Sequence, residues 1–172
     1  MKKLLFIING MATSGKDSFC DFVKKYSGHE TFAISSIDRI MEISKAIGWD
    51  GVSKTEKERK LWSDLKDLCT WYNDSPYTYV KNQIMYFEAT PKTEIMFIHI
   101  REPQEIEKIK ATYPYVKTIL VTNKNVPIIT SNSADAGVFD YHYDYYIKND
   151  GTLEDLKKNA LSFIERFYVD EV

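Results

Sequence analysis

Apolar positions along this 172-residue chain alternate between short continuous runs and stretches with helical spacing. The first run is Leu4-Leu5-Phe6-Ile7-Ile8, and Phe19, Phe22, Val23 and Tyr26 then fall on one helical face that Ser27-Gly28 stops. Cys20 and Asp21 lie off that stripe. Thr31-Phe32-Ala33-Ile34 reads as a second strand, and Ser35-Ser36-Ile37-Asp38-Arg39 begins a helix that should end near Gly48. Between Thr55 and Tyr72, the residues Leu61, Leu65, Leu68 and Tyr72 mark an inner stripe that leaves Lys57, Arg59, Lys60 and Asp64 to solvent. Pro76 opens a further helix with Val80, Ile84 and Phe87 inward.

Glu94-Ile95-Met96-Phe97-Ile98-His99-Ile100 is a near-continuous apolar run of the kind buried on both faces of a parallel sheet, and it ends at Arg101. Pro103 suits the first turn of a helix carrying Ile106 and Ile109 inward, and Val116-Lys117-Thr118-Ile119-Leu120-Val121 is a fourth strand. Residues 123–141 have no clear period, and their small and polar content predicts a lid-like loop over a site. A fifth strand is expected over residues 143–147. A capping box at Thr152-Leu153-Glu154-Asp155 then starts a final helix with Leu153, Leu156, Ala160, Phe163, Ile164 and Phe167 inward. Strands alternating with helices predict an α/β fold, a three-layer α/β/α arrangement around a five-stranded parallel sheet, whose ligands bind at the carboxyl ends of the strands. The stretch of about residues 36–90 is mostly helical, and the kinase resemblance drawn below implies that it is an insert that binds an acceptor.

Gly10-Met11-Ala12-Thr13-Ser14-Gly15-Lys16 follows the first strand and precedes the first helix, the context of a phosphate-binding loop. Small residues there let backbone N–H groups turn in around phosphate oxygens, the helix start adds positive potential, and Lys16 supplies a cation for the β- and γ-phosphates of ATP. The position after the lysine holds Asp17 in place of the usual hydroxyl residue, and a hydroxyl appears only at Ser18. Asp17 and Ser18 are the candidates for Mg2+, with Asp17 alternatively serving as a favourable acidic residue in the first helical turn. Arg101, at the end of a buried strand, is the candidate to contact the acceptor phosphate or the transferring group, with a salt bridge to Glu102 or Glu105 as the alternative. Arg39 and Asp38 follow the second strand, where the resemblance drawn below implies acceptor binding, with an exposed helical residue as the alternative for Arg39. His99, His142 and the aromatic residues Trp62, Trp71 and Tyr72 read chiefly as packing positions, with base stacking the alternative for the last three.

The net charge of −2 and the lack of a long basic run argue against a nucleic acid polymer as partner. The apolar run after Lys2-Lys3 is too short for a leader or a membrane span, which makes a cytoplasmic location and no membrane contact the expectation. Cys20 and Cys69 lack the spacing of a zinc site or a disulfide framework and read as reduced packing residues.

With those residues in place the chain resembles the nucleoside-monophosphate-kinase group of phosphate-loop proteins. More narrowly, it is similar to phage-type deoxynucleoside monophosphate kinases and animal-type phosphomevalonate kinases. The resemblance rests on Ser14-Gly15-Lys16-Asp17, on Ile100-Arg101-Glu102-Pro103-Gln104-Glu105, and on Asp140-Tyr141-His142-Tyr143-Asp144 followed by Asn149-Asp150-Gly151, and it covers most of the chain in order. It implies a transferase that uses ATP and Mg2+ to phosphorylate a small phosphorylated acceptor, first a (deoxy)nucleoside monophosphate, with phosphomevalonate or another small ester as the alternative, working as a monomer or homodimer. A catalytically weak ATP-binding regulatory protein is the alternative of another class. The chain departs from the family at His99, where an aspartate usually stands, and in residues 123–141, which hold Lys124 but no arginine.

Overall fold

A computed structural model describes residues 2–128 and 137–169. The chain order is β1 (Leu4–Asn9), α1 (Lys16–Tyr26), β2 (Thr31–Ser35), α2 (Asp38–Ala46), α3 (Glu56–Asn73), α4 (Ser75–Ala89), β3 (Ile95–His99), α5 (Pro103–Thr112), β4 (Lys117–Thr122), β5 (Tyr145–Lys148) and α6 (Leu153–Glu165). The five strands form one sheet in the order β2-β3-β1-β4-β5, and every pairing is parallel. Among the described residues no helix is long and apolar enough to cross a membrane.

Alternation along the strands divides the core into two faces. From β1, Leu5 and Ile7 pack with Val80, Ile84 and Phe87 of α4 and Ile106 and Ile109 of α5, whereas Leu4, Phe6 and Ile8 pack with Phe19 and Val23 of α1 and Phe163 and Ile164 of α6. On the second face Phe6 lies 5.6 Å from Phe97 and 5.5 Å from Phe163, ring centre to ring centre. The same alternation sends Met96 and Ile98 of β3 to the first face and Ile95 and Phe97 to the second, so His99 points toward α1.

The expected three layers and the parallel sheet are therefore present, with local differences. Cys20 is buried, because α1 packs against α6 as well as the sheet and its hidden arc is wider than the apolar stripe alone. Tyr26, at the far end of the stripe, is 45% exposed. On α3 the buried residues are Trp62 and Lys66, while Leu68 and Tyr72 of the expected stripe are exposed. Leu153 is exposed as well, since it is the first residue after the Thr152 cap and precedes the length of α6 that reaches the sheet. The fifth strand begins at Tyr145; Tyr143 is buried just before it and donates its hydroxyl to the Val138 carbonyl at 2.8 Å. Of the lid-like segment 123–141, residues 129–136 lie outside the described residues, and Val138, beyond them, is fully buried in the first-face core.

Candidate active site

β1 delivers the chain to the centre of the sheet, flanked by β3 and β4, and ends at Asn9. The buried side chain of Asn9 accepts from the Gly10 N–H at 2.8 Å and donates to the Arg101 carbonyl at 3.0 Å and to the Tyr143 hydroxyl at 2.7 Å. The loop from Gly10 to Lys16 then folds tightly. Ser14 N–H donates to the Met11 carbonyl, and Thr13 and Gly15 take positive φ of 65° and 100°. Glycine is required at both ends of the loop. A Cβ on Gly10 would lie 2.5 Å from the Val121 carbonyl oxygen, and one on Gly15 would lie 2.3 Å from Asn149 Nδ2. That same amide donates to the Ser14 carbonyl at 2.9 Å, so the turn after β5 braces the loop from outside.

Lys16 is the first residue of α1 and is buried, with Nζ 3.5 Å from the Met11 carbonyl. The Ser14 hydroxyl is buried without a hydrogen-bond partner among the described residues. A cradle kept open by two glycines, with a buried lysine and an orphaned hydroxyl, fits a phosphate chain, which would offer oxygen acceptors to both.

The loop opens on a cavity of about 560 Å³. Thr13, Lys16 and Asp17 line it from the loop, His99, Arg101 and Glu102 from the neighbouring end of β3, and Ser35, Ser36 and Asp38 from the end of β2 beyond. The roof is α3, with Lys54 just before it and Arg59, Trp62, Ser63 and Lys66 on one helical face. Lys66 Nζ meets the Glu102 carboxylate at 2.5 Å, tying α3 to the segment after β3. Glu102, one expected partner of Arg101, is thus engaged by Lys66.

Asp17 is 79% exposed on its side chain, and its Oδ1 lies 3.5 Å from His99 Nδ1. Burial holds His99 below its ordinary value, with Asp17 opposing and Lys16 adding to the effect. Burial pushes the Cys20 thiol well above its ordinary value, and the charges of Asp17 and Asp21 push the same way. Both cysteines are free, as expected. A lone carboxylate beside a phosphate cradle suits Mg2+, which commonly keeps one or two carboxylates and takes its other ligands from phosphates and water. Ser18, the other metal candidate, does not line the cavity.

Asp38 lines the cavity, but its Oδ2 already accepts from Ser35 N–H at 2.8 Å and from the Tyr79 hydroxyl at 3.2 Å. Arg39 is turned away: it is exposed, held to Glu42 at 2.6 Å, and absent from the cavity wall. Sequence reading passed over Lys54 and Lys66 and left Arg59 to solvent, whereas Arg59 is half-buried and lines the cavity, because this face of α3 covers the site. The signal for Arg59 and Lys66 is the helical spacing they share with Trp62, which an apolar stripe cannot reveal. Trp71 and Tyr72 lie exposed near the end of α3, whereas Trp62 reaches the cavity with its ring 5.0 Å from that of Trp49.

A second recess of about 300 Å³ lies on the other flank of the loop. Met11, Val121, Val126, Ile128 and Phe139 give it an apolar wall, and Ser14, Asn123 and Asp150 add polar groups.

No protein-family model matches the chain, and no curated protein matches it. Among solved structures it is similar to dephospho-CoA kinase from Campylobacter jejuni, with 16% identity over 95% of this chain and 97% of that one and a TM-score of 0.51. It is also similar to shikimate kinase from Acinetobacter baumannii in complex with shikimate, with 12% identity over 98% and 96% of the two chains and a TM-score of 0.51. The likeness is one of architecture: a five-stranded parallel sheet with helices on both sides.

Proposed function

We propose that the protein transfers the γ-phosphoryl group of ATP to a small phosphorylated acceptor, a (deoxy)nucleoside monophosphate. The observation that carries this reading is that the loop and Lys16 open on the same cavity as Lys54, Arg59 and Arg101. Such a cavity suits two anionic groups brought end to end. The loop amides and Lys16 hold the donor phosphates, and the apolar recess beside Phe139 takes the donor base. Arg101 and Arg59 hold the acceptor phosphate in line, while Ile34, Met41 and Trp62 give its base an apolar seat. That seat favours a nucleotide over phosphomevalonate, which has no ring to bury.

Asp17 would hold Mg2+, which when bound neutralises charge on the phosphoryl oxygens. No general base is required, because the acceptor phosphate is itself an anionic nucleophile. The protein's work is to position the two phosphates and to exclude water between them.

The test is a phosphotransfer screen with Mg2+ and ATP against nucleoside monophosphates and phosphomevalonate. A labelled diphosphate product from one nucleoside monophosphate is expected, and Lys16→Ala should lower the rate by about a hundredfold or more, the scale of losing a charged contact to the transition state. Tight ATP binding with no product from any acceptor would overturn transfer. It would favour the second reading, a nucleotide-binding regulatory protein, for which the observation is that His99 faces the loop where the family resemblance puts an aspartate.

A further inference from the structure

The two positions at which the chain departs from the ordinary phosphate-loop pattern, Asp17 and His99, are in contact. Strand alternation turns His99 toward α1, where Asp17 and Cys20 stand one helical turn apart on the same face. Each nitrogen of the ring meets one of them. Nδ1 lies 3.5 Å from Asp17 Oδ1, and Nε2 lies 3.8 Å from Cys20 Sγ.

A neutral imidazole has one donor nitrogen and one acceptor nitrogen, a carboxylate only accepts, and a protonated thiol can donate weakly. Nδ1 stands at the outer limit of hydrogen-bond distance from the carboxylate, so a small rotation of the exposed Asp17 side chain would let Nδ1–H donate to it while Nε2 accepts weakly from Cys20 S–H. The ring is held further by its strand, since His99 pairs with Ile8 on one side and Ser35 on the other, and its carbonyl accepts from Ser36 N–H at 3.1 Å. The imidazole is mostly buried on a fixed strand, and the carboxylate it meets is exposed at the start of a helix.

We propose that His99, braced by Cys20, is a positioning residue that fixes the Asp17 carboxylate for Mg2+ at the phosphate end of the cavity. This rests on the phosphotransfer reading above. A carboxylate on an exposed helix start otherwise samples several rotamers, and hydrogen bonds behind a metal ligand are typically worth about 10- to 100-fold in metal affinity. The ring and the loop aspartate thus work as a pair, the imidazole supplying direction and the carboxylate supplying charge.

The test measures binding of ATP with and without Mg2+ by calorimetry, together with Mn2+ affinity in the presence of ATP by paramagnetic resonance. His99→Phe keeps a planar ring, slightly larger, and removes both nitrogens. It should leave metal-free ATP binding within about twofold while lowering Mn2+ affinity and the Mg2+-dependent gain by about tenfold. His99→Asn, which offers an amide N–H near Nδ1, should restore most of the loss, and Cys20→Ala should give a smaller loss of the same kind. Asp17→Asn should abolish the gain, and adding His99→Phe to it should cost nothing more, an outcome that a general loosening of the fold would not give. Full Mg2+ gain and Mn2+ affinity in His99→Phe, or additive losses in the double variant, would overturn the inference while leaving the phosphotransfer reading in place. Wild-type protein that binds no ATP in either condition would remove both.

Discussion

A single methyl group on Gly15 is enough to obstruct the loop. Its Cβ would have to occupy space 2.3 Å from Asn149 Nδ2, at a φ of 100° that side chains rarely adopt. Gly15→Ala is therefore expected to cost about 1–3 kcal/mol in folding stability and to weaken ATP binding, checked by denaturant melts and calorimetry. Asn149→Ala in the same chain should relieve the collision but not the strain, recovering part of the stability and little of the binding. At this scale the loop was legible in the sequence because glycine at fixed intervals is a backbone requirement. Asn9 and Asn149 were not, since an asparagine at a strand end looks the same whether it fastens three segments or faces water.

The elements around the site were legible to differing degrees for one reason. A strand buried on both sides must be continuously apolar, so β1, β3 and β4 could be read directly. A helix stripe is read on the assumption that its hidden face is oily. The hidden face of α3 lines a cavity that also holds charged groups, and Arg59 and Lys66 occupy it instead of leucines. Lys66 is also the tie between α3 and the turn into α5, buried to 5% exposure against a Glu102 carboxylate at 24%. Lys66→Ala should destabilise the protein by about 3 kcal/mol, the lower range for breaking a buried pair, while the paired change Lys66→Met with Glu102→Gln should recover much of that. Equilibrium urea unfolding of the three chains checks both statements. A loss below about 0.5 kcal/mol for Lys66→Ala, the scale of an exposed pair, would show that the pair is solvated.

For the whole molecule, acid should act in two stages. His99 sits below its ordinary 6.5 because burial disfavours its charged form. Burial raises Asp144, but the backbone and side-chain hydrogen bonds from Thr118, at 2.8 and 2.9 Å, and the Lys110 charge outweigh it and leave the carboxyl below its ordinary 3.8. In each case the native state holds fewer protons than the unfolded chain over the window between the two values, so stability rises with pH there and is lost as pH falls. Thermal melts from pH 8 to pH 3 should show a first decline below about 6.5, flattened in His99→Asn, and a second below about 4 that persists in that variant. The layered fold behind this behaviour was legible from alternating strands and helices. The closeness of residues 17, 20 and 99 was not, because it depends on which face of β3 the last residue takes relative to α1, a fact of assembly and not of either segment alone.

Asn9 gives that assembly a further consequence. One amide side chain fastens the start of the phosphate loop, the carbonyl of Arg101 and the hydroxyl of Tyr143, which in turn holds Val138. The proposed seats of the two substrates thus hang from a common rivet, and the spacing between them is a dimension machined into the frame. An error at that rivet would misalign both seats at once while every side chain that touches a ligand stayed chemically intact.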